Sequence, residues 1–102
     1  MEQDKHKKAF EELAEELLEE FKTVDSVTLF GSVARDEHGA RSDVDVLVET
    51  ADRSETQEIE TLAFQKASKY GVSITPIIKP ANNSSSSFVE NIRKKGETRV
   101  RS

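Results

Sequence analysis

The chain has 102 residues, 34% of them hydrophobic and 34% charged, with a formal net charge of -5 and no cysteine. That length permits one modest core and excludes a second domain of ordinary size, so a single domain over residues 1–102 is expected. The acidic balance excludes a broad basic nucleic-acid surface, the lack of cysteine excludes disulfides and thiolate metal sites, and no apolar run approaches the ~20 residues needed to span a bilayer. The N-terminal MEQDKHKKAF has no apolar signal core, so neither a membrane partner nor any location but the cytoplasm is expected.

Phe10, Leu13, Ala14, Leu17, Leu18 and Phe21 fall on one helix face. Glu11, Glu12, Glu15, Glu16, Glu19 and Glu20 lie off that stripe and read as a solvated face. VDSVTLF (24–30) is rich in β-branched and aromatic residues and ends at Gly31, which predicts a strand, with a short helix starting near Ser32. Residues 36–42 are polar or small and form a loop, in which His38 reads as a solvated histidine. Val44, Val46 and Val48 then alternate with Asp43, Asp45, Leu47 and Glu49, the pattern of a strand with one face on the core and the other available for chemistry.

Ser54 and Gln57 resemble a capping box, and Ile59, Leu62, Ala63, Ala67 and Tyr70 predict a helix over about 55–70 that stops at Gly71. VSITPIIK (72–79) is a third strand, at the sheet edge because Pro76 cannot donate to a ladder. The polar run 80–87 is a loop, after which a Ser87–Glu90 capping pattern and Phe88, Val89 and Ile92 predict a short closing helix ending at Gly96. The final ETRVRS reads as a frayed tail. Its arginines, with Arg93, Lys94 and Lys95, are read as charges favoured near a helix C-terminus, contact with phosphates or a partner being the alternative.

This order gives an α+β fold with a three-stranded mixed sheet and about four helices. A helical crossover makes strands two and three parallel and the connection right-handed. Strands one and two must be antiparallel if the Gly31-Ser32 corner is to meet the aspartates.

Two chemical features stand at that corner. Asp43 and Asp45, two apart on a strand, project from the same face with Cβ atoms ~6–7 Å apart, a spacing that suits magnesium completed by water and substrate phosphate. Ser32 follows a glycine at a predicted helix start, where its hydroxyl and free N–H groups could bind a triphosphate. Together they suit phosphoryl or nucleotidyl transfer.

Gly31-Ser32, ten residues, then Asp43-Val44-Asp45 resembles the GS-x10-DxD signature of the minimal nucleotidyltransferases, small relatives of the DNA polymerase β superfamily. Arg35 extends the likeness to the GSxAR form. The resemblance extends over nearly the whole chain and implies a polymerase β palm-like nucleotidyltransferase fold. It further implies transfer of AMP from ATP to a protein hydroxyl, and an antitoxin role beside a helical HEPN-type partner. Carried over by position, Gly31, Ser32 and Arg35 would contact the phosphates of ATP or another nucleoside triphosphate. Asp43 and Asp45 would hold Mg2+ and serve as the catalytic pair.

One departure stands out: the superfamily takes a third carboxylate from the next strand, where Ser73, Thr75 and Ile77 share the relevant face and none is acidic. Glu49 lies on the aspartate face but too far along the strand to substitute. The resemblance therefore leaves two functions in view, the AMP-transferring enzyme and a nucleotidyltransferase-fold binding module that neutralises a partner by contact. A homo-oligomeric interaction domain, such as a homodimer, whose aspartates are incidental is a third.

Overall fold

The structure, a computed structural model, describes residues 4–35, 43–81 and 87–100. The expectations for the 36–42 loop with His38, for residues 82–86 and for the Ser87–Glu90 capping pattern lie outside the described residues and side chains. The elements run α1 (Lys5–Glu20), β1 (Val24–Phe30), α2 (Gly31–Ala34), β2 (Asp43–Thr50), a 3-10 turn (Arg53–Glu55), α3 (Thr56–Tyr70), β3 (Ser73–Pro80), α4 (Ser87–Lys95) and β4 (Glu97–Val100). They form one four-stranded sheet in the order β3-β2-β1-β4. As expected, β1 and β2 are antiparallel and β2 and β3 parallel, with β3 and its prolines at an edge.

Helix α1 begins before its apolar stripe because the Asp4 carboxylate accepts the His6 N–H at 2.9 Å and caps the first turn. Its buried side chains, from Phe10 through Leu13 to Leu17, meet Val27 and Leu29 of β1, Val44, Val46 and Val48 of β2, and Ile59, Leu62 and Ala63 of α3. Helix α3 ends at Gly71 in the left-handed conformation, φ 65°, the cap its sequence predicts. Its start differs. The Ser54–Gln57 box does not cap it; Asp52 accepts the Ser54 N–H at 2.9 Å and winds the preceding 3-10 turn instead. The 3-10 turn absorbs the capping signal because Asp52 is already placed to bond two residues ahead.

The glutamate face of α1 does more than keep the helix wet. Lys66 of α3 is buried between Glu12 at 3.0 Å and Glu16 at 2.8 Å, and Glu12 also accepts from Lys69 and from the Tyr70 hydroxyl. Three donors, Lys69 foremost, hold the Glu12 carboxyl down to about 2 from 4.5. A carboxyl lowered by folding stabilises the fold above its unfolded value and loses that contribution as pH falls through its folded one. The α1–α3 contact is therefore expected to contribute in full above pH 4.5 and to fade towards pH 2, and Glu12→Gln should flatten that acid limb in thermal melts.

The C-terminal residues are the main correction: Glu97–Val100 are β4, paired antiparallel with β1 from Ser26↔Val100 to Leu29↔Glu97, and the sheet has four strands, not three. Gly96 permits this. A Cβ there would strike the Leu29 carbonyl oxygen and stand 2.8 Å from the Ile92 oxygen and 2.9 Å from Thr28 Cγ2. The chain can thus turn directly from α4 on to β1. Arg99 is not a helix-end charge: its guanidinium lies 5.7 Å from the Phe10 ring centroid and its Nε 2.9 Å from Glu11. On the opposite face the Thr28 and Thr98 hydroxyls meet at 3.0 Å. No helix among the described residues is long and apolar enough to cross a membrane.

Candidate active site

The alternation along β2 predicts a strand covered on one face, and the structure covers it on both beyond Val46. Helices α1 and α3 bury Val44, Val46 and Val48. On the other face Val89 and Ile92 of α4 bury Leu47, with Phe30 and Ile77 packed alongside. Only the start of the strand escapes: Asp43 is exposed and Asp45 half-buried. Glu49 is 1% exposed and accepts from the Ser26 hydroxyl at 3.1 Å, so it belongs to the packed end of this face.

Antiparallel pairing of Phe30 with Asp45 brings the end of β1 to the start of β2. The chain leaves β1 through Gly31 at φ 79°, a value that disfavours any side chain. A side chain would also require its neighbour to move. A Cβ at Gly31 would overlap Asp45 Oδ2 and stand 3.3 Å from its Cγ. The first turn of α2 and the Asp45 carboxylate are thus in direct apposition. Val33 anchors the turn in the core, Ser32 is half-buried in it, and Arg35 closes it with its N–H 3.3 Å from the Gly31 oxygen and its side chain exposed.

Burial, and after it the charge of Asp43, pushes the Asp45 carboxyl above its usual 3.8. Two like charges held together on a half-buried surface favour a cation between them. Across the parallel pair, Ser73 stands in register with Asp43 and Thr75 with Asp45, both exposed. No third histidine, cysteine, aspartate or glutamate joins the pair among the described residues. The donor set fits one hard divalent cation held by two carboxylates, its remaining positions left to water or phosphate oxygens.

All five residues singled out in the sequence, Gly31, Ser32, Arg35, Asp43 and Asp45, therefore lie on two adjoining segments, α2 with its cap and the start of β2. Sequence reasoning missed Phe30 as a wall of this corner and the contact between Gly31 and Asp45. The antiparallel register it required contained that signal.

Gly31→Ala is expected to cost about 1–2 kcal/mol for the left-handed backbone and to push the Asp45 carboxylate aside. Thermal melts would read the first effect. A 13C pH titration of Asp45 would read the second as a move back towards 3.8.

A mixed sheet backed by two helices, with a glycine-serine turn set against a carboxylate pair, has the architecture of the nucleotidyltransferases. The chain belongs to the nucleotidyltransferase domain family, whose model matches residues 10–98. It is 39% identical over 75 residues to "putative protein adenylyltransferase MJ0141" of Methanocaldococcus jannaschii, across 62% of this chain and 76% of that one. Solved structures share the fold, two toxin–antitoxin structures among them. A toxin–antitoxin crystallised with AMP-PNP matches 89% of this chain and 69% of its own with TM-score 0.64 and 21% identity. A mutant of the toxin–antitoxin MntA–HpeT matches 99% and 75% with TM-score 0.62 and 20% identity.

Proposed function

We propose that this chain transfers AMP from ATP to a protein hydroxyl in a magnesium-dependent reaction, as the antitoxin half of a pair with a helical HEPN-type toxin. The observation that supports the reading is the apposition of Gly31 and Asp45, which sets the glycine-serine turn against the carboxylate pair. The first-turn N–H groups and the Ser32 hydroxyl receive the triphosphate, Arg35 braces its charge, and Asp43 and Asp45 hold the ion that neutralises it. The acceptor oxygen bonds to the α-phosphorus, the bond to the bridging oxygen breaks, pyrophosphate leaves, and the hydroxyl proton passes to solvent or a base on the acceptor. The adenylyltransferase name of the archaeal relative and the toxin–antitoxin neighbours, one with AMP-PNP, support this direction.

Ser73 and Thr75 favour a second reading. With neutral side chains where a further acid would serve as base, the chain would bind nucleotide and neutralise its partner by contact alone.

ATP labelled at the α- or the γ-phosphate, incubated with the chain, magnesium and the product of the neighbouring gene, separates the two. Label on the partner from the α position only is the expected result. Neutralisation of the partner's activity with no label transferred replaces the first reading with the second.

A further inference from the structure

The surroundings of the aspartate pair bear on how many ions it holds. Asp45 is flanked in register by Phe30 of β1 and by Thr75 of β3, and Asp43 by Ser73. The pair can lean on to one ion, since octahedral magnesium takes oxygens at ~2.0–2.1 Å and the two carboxylates share a face. A second ion would sit ~3.5–4 Å from the first and needs anionic ligands of its own. Neighbouring strands lie ~4.8 Å apart, so Thr75 borders the place where such a ligand would stand beside Asp45. A hydroxyl there offers a lone pair but no charge, and Phe30 on the other side offers neither. No third acidic or imidazole group joins the pair among the described residues.

We infer that this site binds a single divalent ion, completed by the phosphates of its nucleotide, and that the neutral side chain of Thr75 is what withholds a second. The inference rests on the nucleotide-binding reading above and adds a stoichiometry to it. The nucleotide supplies the ligands that two carboxylates lack, so ion and nucleotide enter as one complex, and the ion alone binds weakly.

Manganese, a paramagnetic stand-in for magnesium, makes the count measurable. With AMP-PNP saturating and Mn2+ in excess, dialysis gives the analogue retained per chain and electron paramagnetic resonance gives the ions bound. One ion per chain is expected for the wild type and two for Thr75→Asp, with Thr75→Glu as a second carboxylate variant in case the first does not fold. Two ions in the wild type overturn the inference while leaving nucleotide binding intact. One ion in a folded carboxylate variant overturns the assignment to Thr75. Failure to retain AMP-PNP at all overturns the nucleotide reading and the inference together.

Discussion

Asp43→Asn and Asp45→Asn are each expected to lower AMP transfer by about 10²–10³-fold, with the fold intact. The magnitude follows from the chemistry: an ion that neutralises phosphate charge is worth several kcal/mol of transition-state stabilisation, and each ~1.4 kcal/mol is tenfold in rate. Stability should move the other way, or not at all. Asp43 is exposed, and the folded state disfavours the charge of Asp45, whose carboxyl is raised by burial and by its neighbour. A raised acid contributes stability at low pH and loses it as pH climbs past the ordinary 3.8, so at neutral pH the Asp45 charge opposes folding. Asparagine removes that charge at nearly constant shape. Initial rates of α-label transfer beside thermal melts at pH 7 are the check, and a loss of stability parallel to the loss of activity would make the aspartates structural instead.

Phe10→Ala is expected to destabilise the fold by about 3–5 kcal/mol, the range for emptying a buried aromatic site. Phe10 is 1% exposed, in the cluster where α1, the sheet and α3 meet. Against a total of about 5–15 kcal/mol for a domain of this kind, that is a large fraction. It has a second consequence. The Phe10 ring faces the Arg99 guanidinium, so its loss removes one of the contacts that hold β4 against α1. Urea unfolding should give the stability change, and amide exchange at Thr98 and Arg99 should accelerate beyond the global effect. A change under ~1 kcal/mol would mean that the site collapses around the alanine.

Much of this arrangement can be read directly from residue order. The apolar spacing of Phe10, Leu13, Leu17 and Phe21 identifies α1, because only a helix brings those positions together. Gly31 closing VDSVTLF and the valine alternation from Val44 define β1 and β2, and Pro76 identifies the edge strand. The requirement that the glycine corner meet the aspartates yields the antiparallel pairing of β1 and β2. β4 was illegible for a local reason. Glu97, Thr98 and Arg99 carry no apolar alternation, and the four residues form a strand because Gly96 delivers them to β1, where Thr98 finds Thr28 and Arg99 finds Phe10 and Glu11. Lys66 was illegible likewise: a lysine on a helix reads as solvent-facing until a second helix supplies Glu12 and Glu16.

Turn chemistry and two-residue periodicity are local properties of the chain, and they suffice to mark the residues of the glycine-serine corner and the carboxylate pair. What surrounds them follows from the packing of distant segments. The register of three separate strands puts Phe30 and Thr75 on either side of Asp45, α4 buries Leu47 and leaves Asp43 open, and the approach of Gly31 holds the Asp45 carboxylate against α2. Those neighbours set the charge balance at the site, because the number of anions within reach of a cation depends on distance in space and not along the chain.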